Sequence, residues 1–208
     1  FKVTFQCPNG KYTFLDAFRS MSTTSQEYGG LDFNSVLPDV TFWEFTSTTA
    51  NARSLWLGNG NISILGPNDS WRVTNPNLYF RAESSTIVYE GLVARNFVGG
   101  DQTYNNLTYG GEGYAQLTLS GNSTFNVLSI DRTKATKTLA LGRGTTTTVS
   151  NLLCPVSGTT VLTIMDAGSI TASTPVLVKA GGGVVGLEYL NLSKNTGSPG
   201  VNTWYYGD

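Results

Sequence analysis

Apolar β-forming residues recur along this chain at a nearly constant interval. One series has intervals of 22, 23 and 23 residues, a second has intervals of 23 and 23, and the two are offset by 11 or 12 residues. The first series comprises Leu119, Leu141, Ile164 and Leu187, and the second comprises Ile130, Leu153 and Val176. A fixed period carried by strand-like segments is typical of stacked repeat units.

The segments around these residues predict short strands that lie in register, one coil above another. They read AQLTLSG, VLSIDR, KTLALGR, NLLCPV, VLTIMDA, PVLVKAG and GLEYLNL. Stacked parallel coils pair each backbone with the coils on either side and bury a column of like residues. The sequence therefore predicts an all-β fold, a parallel β-helix or β-solenoid of ~22–23-residue coils over residues 53–208.

Residues 1–52 form a second predicted region, in which the period is less regular and aromatic residues are denser. Pro8-Asn9-Gly10 between two apolar runs predicts a hairpin, and Leu15 to Met21 are compatible with one helical turn. This region either caps the open end of the solenoid or docks against another subunit, and capping is preferred because every solenoid must close its ends. Its aromatic residues are Phe1, Phe5, Tyr12, Phe14, Phe18, Tyr28, Phe33, Phe42, Trp43 and Phe45.

Composition and charge restrict the function classes. Charged residues make up only 13% of the 208 residues and the net charge is −1, so no basic stripe is available for nucleic-acid binding. No apolar run approaches the ~20 residues of a membrane-spanning helix. The chain opens with FKVTF and shows no signal peptide, which favours a processed product or an excised piece of a longer protein.

The two cysteines, Cys7 and Cys154, are 147 residues apart. Six coils spaced by about 4.8 Å would separate them by roughly 30 Å. A disulfide requires Cα atoms within about 7 Å. We therefore expect two free thiols.

Four stretches, in order, resemble a repeat family that is found in phage and bacterial surface genes. They are SLWLGNGNISILG, TYNNLTY, GRGTTTTVSNLLC and LEYLNLSKNTGSPGVNTWYYGD, and together they span Ser54 to Asp208. Tyr206 departs from the family pattern, which usually has Ala there, and the Asn/Ser-rich tail of the pattern is missing. The resemblance implies a β-helical building block without catalytic residues, commonly joined to fibre-like or carbohydrate-binding modules of virions.

Few residues of the sequence are candidates for catalysis or metal binding. The chain contains no histidine, which excludes Ser-His-Asp and Cys-His nucleophiles and His-ligated zinc. A β-helix can still act on polysaccharides through clustered carboxylates, with Ca²⁺ or as an acid/base pair. The coil register places no carboxylate directly on Asp131, Asp166 or Glu188. We therefore predict no catalytic residue, cofactor or metal site, and no enzyme activity.

Two charge pairs and one aromatic cluster remain to be placed. Asp131–Arg132 and Asp166–Arg143 are possible ion pairs, and we expect either solvated corners or a lateral charge pair worth well under ~1 kcal/mol. Trp204, Tyr205 and Tyr206 could stack on sugar rings, but packing at the end of the solenoid is the preferred interpretation.

The leading functional prediction is a structural component of a phage virion: a segment of a tail fibre, appendage or decoration protein that acts as a rigid module. Its expected location is the virion, and its expected partners are other virion proteins or further copies of itself, as in a homotrimer. Two alternatives stay open, a bacterial surface or adhesin stalk and a glycan-binding or glycan-active β-helix that contacts a host-surface glycan.

Overall fold

The structure is a computed structural model that describes residues 1–33, 39–74, 76–90, 93–167, 175–181, 184–193, 196–198 and 203–207. Every helix or strand within these residues is a β-strand. In chain order the strands are β1 (Val3–Thr13), β2 (Phe18–Asp32), β3 (Val40–Ser47), β4 (Arg53–Trp56), β5 (Asn61–Ile64), β6 (Asn68–Val73), β7 (Leu78–Arg81), β8 (Thr86–Tyr89), β9 (Arg95–Val98), β10 (Thr103–Tyr109), β11 (Gln116–Ser120), β12 (Ser123–Ile130), β13 (Lys137–Leu141), β14 (Thr146–Leu153), β15 (Leu162–Asp166), β16 (Val176–Lys179), β17 (Val184–Glu188), β18 (Leu190–Ser193), β19 (Thr196–Ser198) and β20 (Thr203–Gly207).

Eighteen of these strands form one sheet and β17 pairs with β20 in a second. The strands pair in parallel, as the prediction required, and stack as a β-solenoid of about seven turns roughly 23 residues apart. Buried residues that are partners on successive strands make columns through the stack. Three such columns are Val40–Ile62–Ile87–Leu107–Leu128, Phe45–Trp71–Phe97–Leu119–Leu141 and Tyr104–Phe125–Val149.

The first predicted series is buried but only partly in register. Leu119 pairs with Leu141 as expected. Ile164, however, pairs with Leu139, and Leu187 lies on β17 opposite Tyr206. All four members of the series are at most 2% exposed.

The second predicted series is wrong beyond Ile130. Leu153 is 50% exposed and pairs with Ser129, while Leu128 pairs with the neighbouring Leu152. Val176 is half-buried and its neighbour Leu177 is buried. Corner loops of different length change the spacing by single residues, and each one-residue shift turns a side chain to the other face.

The N-terminal hairpin and helical turn are also wrong. Strand β1 runs through Pro8-Asn9-Gly10 and pairs in parallel with β2, with a register irregularity between Gln6 and Lys11. Asn-Gly therefore sits in a bulge. Phe18 begins a strand, and residues 1–52 belong to the same 18-stranded sheet as the strands that follow. The capping or docking role of this region stays a prediction.

The core contains both aromatic rings and aliphatic side chains from the first coil to Phe125, whereas beyond Phe125 its described members are aliphatic side chains and Cys154. Rings from neighbouring coils stack: the centroids of Phe14 and Phe33 are 5.4 Å apart, and those of Tyr104 and Phe125 are 5.6 Å apart. Since coils repeat at about 4.8 Å, flat rings pack well along the axis. Part of the aromatic density of residues 1–52 is thus explained by the core, where Phe33, Phe42 and Phe45 are buried.

Candidate functional site

Asp166 and Arg143 form an ion pair that is far from solvated. Arg143 Nε donates to Asp166 Oδ1 at 2.8 Å, and Arg143 Nη2 lies 2.5 Å from Oδ2. The two side chains are only 14% and 2% exposed. Asp166 is the register partner of Leu141 and therefore continues the column of Leu119 and Leu141. Because its carboxylate is buried at the edge of the core, it is stabilised by two contacts with the Arg143 guanidinium. The lateral charge pair that the sequence suggested is therefore present, but it is buried rather than solvated.

Asp131 and Arg132 have different environments. Asp131 Oδ1 accepts a hydrogen bond from the backbone N–H of Thr133 at 2.8 Å, which closes a turn. Arg132 is 1% exposed and donates to the carbonyl oxygens of Cys154 and Thr160, both at 3.0 Å. The solvated corner that the sequence suggested is therefore wrong for Arg132.

Glu188 lies on β17 and Trp204–Tyr206 lie on β20, but their side chains are outside the described part of the structure. No group of three or more His, Cys, Asp or Glu side chains suited to a metal ion occurs among the described residues.

Both cysteines are free thiols, as expected. Seven successive strand pairings lead from β1, which contains Cys7, to β14, which immediately precedes Cys154, a separation of roughly 34 Å at about 4.8 Å each. Burial raises the pKa of the Cys154 thiol to about 12, against the opposing effect of the Arg132 charge. Cys154 is thus protonated at neutral pH and a poor nucleophile.

Buried cations at the corners were missed by the sequence reasoning. Among the described residues these are Arg53, Arg95, Arg132, Lys137 and Lys179. Corner backbone leaves the strand ladders, and its carbonyl groups need other donors. Lys137 Nζ donates to Gly111 O and Gly113 O, both at 2.7 Å, and lies 5.6 Å from the centroid of the Tyr109 ring.

Arg53 is the most connected of these cations. Its Nε donates to Ser47 Oγ at 2.9 Å and its Nη2 donates to Thr74 O at 2.8 Å, while Nη1 donates to Thr49 O. Ser47 Oγ in turn donates to the buried Gln26 Oε1 at 3.0 Å. Desolvation lowers the pKa of both Arg53 and Lys137. These side chains link neighbouring corners through hydrogen bonds.

An open lateral cleft of ≈280 Å³ lies on the first coils of the stack. It is lined by Pro8, Asn9, Gly10, Gly29, Gly30, Ala52, Arg53 and Ser54. Gly30 and Ser54 are register partners that form part of its floor, and the same row continues to Lys11 on one side and Tyr79 on the other. A Cβ at Gly30 would lie 2.7 Å from Lys11 Cγ, so glycine makes room for the lysine stem.

An aromatic pair lies close to this cleft in the strand register, because Tyr79 is the partner of the lining residue Ser54 and Trp56 is two residues after Ser54. Trp56 and Tyr79 contact each other edge to face with centroids 6.0 Å apart, and Tyr79 is 58% exposed. Lys11 Nζ lies 5.0 Å from the centroid of the Trp56 ring and 2.7 Å from Asp32 Oδ2. Hydroxyl, amide and aromatic groups thus share one outer face of the first four coils.

The other distinctive surface is the edge of β1 together with Phe5, Phe14 and Phe18. Strand β1 pairs with β2 on one edge only, among the residues that the structure describes. The three phenylalanines are only partly buried. An unpaired parallel edge above half-covered rings is a surface on which another β-layer could stack.

The fold defines the class of the protein: it is a parallel β-solenoid. No family model, curated protein or solved structure matches the chain. Within the described residues, no helix is long and apolar enough to cross a membrane.

Proposed function

We propose that this chain is a rigid structural module of a phage virion, in a tail fibre, appendage or decoration protein. The observation that carries the proposal is the continuous core of the stack, in which each coil depends on its neighbours for its backbone pairing and its apolar contacts. Such a unit resists bending and keeps a fixed length along its axis. The resemblance of the four sequence stretches to phage and bacterial surface proteins supports the same role.

The edge of β1 that is free among the described strands supports the addition of a further β-layer, from another polypeptide or from a longer chain. Lys2 and Lys11 of the first coil form ion pairs with Glu27 and Asp32 of the second coil, so charged side chains also link successive coils. A β-layer placed over β1 would satisfy its free backbone groups and cover Phe5, Phe14 and Phe18. The chain acts by shape and assembly, without turnover.

The test is detection of the chain in density-gradient-purified phage particles by peptide mass spectrometry, followed by antibody labelling in the electron microscope. We expect its peptides at constant stoichiometry to the major capsid protein. Labelling of bacterial surfaces with none on particles would favour the adhesin stalk instead. A screen of the purified chain against polysaccharides, with and without Ca²⁺, is expected to yield no cleavage product.

Saccharide binding at the lateral cleft is the second candidate. The exposed ring of Tyr79 beside Trp56 and the cleft carries this candidate, since sugar rings stack on aromatic faces and bond to hydroxyl and amide groups. A glycan array tests it. Tyr79→Ala should abolish any binding that is found, whereas Tyr114→Ala, which alters a ring that is 86% exposed elsewhere, should not.

A further inference from the structure

Two asparagines of this chain are followed directly by glycine, in the pairs Asn9-Gly10 and Asn59-Gly60. In such a pair the backbone nitrogen of the glycine can reach the side-chain carbon of the asparagine, because glycine has no Cβ to restrict the backbone. The asparagine can then lose its amide without an enzyme. Both asparagines are exposed to solvent, but the structure gives them different surroundings.

Asn59 is held by the next coil of the stack. Its Oδ1 accepts a hydrogen bond from Ser84 Oγ at 2.7 Å. The carbonyl oxygen of Gly60 accepts a hydrogen bond from the backbone N–H of Thr86 at 3.1 Å, at the start of the β5–β8 ladder. Because the reaction requires both the side chain and the following peptide to rotate, these two contacts oppose it.

Asn9 lies in the bulge of β1 and is held less firmly. The β1–β2 register passes from Gln6 opposite Tyr28 to Lys11 opposite Gly30, so the four residues between Gln6 and Lys11 have no register partner. The Asn9 side chain makes no hydrogen bond with any residue that the structure describes. Its side chain and the Gly10 peptide can therefore rotate without breaking a ladder.

We propose that Asn9-Gly10 is a site of spontaneous covalent modification, at which Asn9 deamidates faster than Asn59 in the folded protein. The Gly10 nitrogen loses its proton to solvent base and forms a bond with Asn9 Cγ. The bond from Cγ to Nδ2 breaks, and ammonia leaves a cyclic imide. Water then opens the ring at either carbonyl and gives aspartate or isoaspartate, so the net reaction consumes one water and releases one ammonia.

The modification changes the lateral cleft, because Asn9 and Gly10 line it together with Arg53. Either product adds a carboxylate to a lining that contains no acidic residue. Isoaspartate also lengthens the β1 backbone by one bond, which the bulge can accommodate because it has no register partner. The modified chain should therefore stay folded. This inference does not depend on the proposed structural role.

Incubation of the full chain at mildly alkaline pH, followed by peptide mass spectrometry, tests the proposal. We expect the peptide that contains Asn9 to deamidate at least about tenfold faster than the peptide that contains Asn59. The rate should rise with pH, since the attacking nitrogen must lose a proton. Asn9→Gln is the matched control, because its longer side chain disfavours ring closure, and this peptide should keep its mass.

Incubation in denaturant separates the effect of the fold from the effect of the local sequence. Without the folded structure, we expect the two asparagines to deamidate at similar rates. An excess of Asn9 deamidation that persists unchanged in denaturant would overturn the proposal. Equal rates in the folded protein, or a folded protein in which Asn59 reacts first, would overturn it as well.

Discussion

At the scale of single residues, the corners of the stack are held by positively charged side chains that enter the protein. Lys137 is fully buried and donates to two carbonyl oxygens of the preceding corner. Arg53 does the same with several carbonyl groups of the neighbouring corners. A lysine or arginine at the start of a strand was not recognised as structural, because sequence patterns treat charge as a mark of solvent exposure.

Replacement of Lys137 by Met tests this stapling role. It leaves the carbonyl groups of Gly111 and Gly113 without their donor, so the free energy of unfolding should fall by about 1–3 kcal/mol. Denaturant titration measures it. Lys134→Met is the control, because Lys134 is exposed and only 3.6 Å from the exposed Glu112, and its effect should stay within about 0.5 kcal/mol.

The pH dependence of the free energy of unfolding, compared between the wild-type chain and Lys137→Met, gives a second measurement. Burial lowers the pKa of Lys137 in the folded state, so the unfolded chain binds more protons between the lowered pKa and the ordinary value of about 10.4. The wild-type chain should therefore gain stability relative to Lys137→Met as the pH rises through this window. A difference between the two curves that shrinks with rising pH would contradict the assignment.

Cys154 offers a prediction that needs no structural variant. Its pKa of about 12 leaves about a thousandfold fewer thiolates at pH 8 than an ordinary thiol of pKa near 9. A chromogenic thiol reagent should therefore modify Cys154 of the native protein very slowly. In denaturant without reductant, two thiols per chain should react, and a count of zero would reveal a disulfide.

At the scale of elements, parallel pairing makes each strand dependent on the strands above and below it. Ile164 lies on β15 between Leu139 and Leu192 and is 2% exposed. Ile164→Asp should cost several kcal/mol, because an unpaired carboxylate would enter an apolar column. Thr163→Asp on the same strand is the control, since Thr163 is only half-buried and alternates to the outer face. Equal losses for the two variants in thermal unfolding would show that the face assignment is wrong.

At the scale of the whole molecule, a stack in which each coil contacts only its neighbours should fray from its ends. Strand β1 has one paired edge among the described strands, whereas β10 and β12 lie between paired neighbours. Hydrogen exchange followed by mass spectrometry should therefore show fast exchange in β1 and slow exchange in β10 and β12. Uniform protection along the chain, at concentrations where it is monomeric, would contradict a linear stack.

The sequence by itself determined the architecture. A repeat near 23 residues carried by strand-like segments predicts coils in parallel register, and the pairing of Leu119 with Leu141 confirms this for two coils. The absence of histidine excludes His-dependent nucleophiles and His-ligated zinc, and the low charge leaves no basic stripe for nucleic acid. Both exclusions follow directly from the sequence, because the required side chains are missing. The free state of Cys7 and Cys154 followed from coil spacing alone.

Only the tertiary structure decided the details that depend on corner length and on contacts between distant residues. Corner loops of unequal length place Leu153 on the outer face of its strand. The local sequence does not predict this, because a one-residue change in register exchanges the inner and outer faces of a strand. The burial of Asp166 with Arg143 likewise arises from coil-to-coil register. Register is a property of the assembled stack, since it is set by which backbone groups meet across coils.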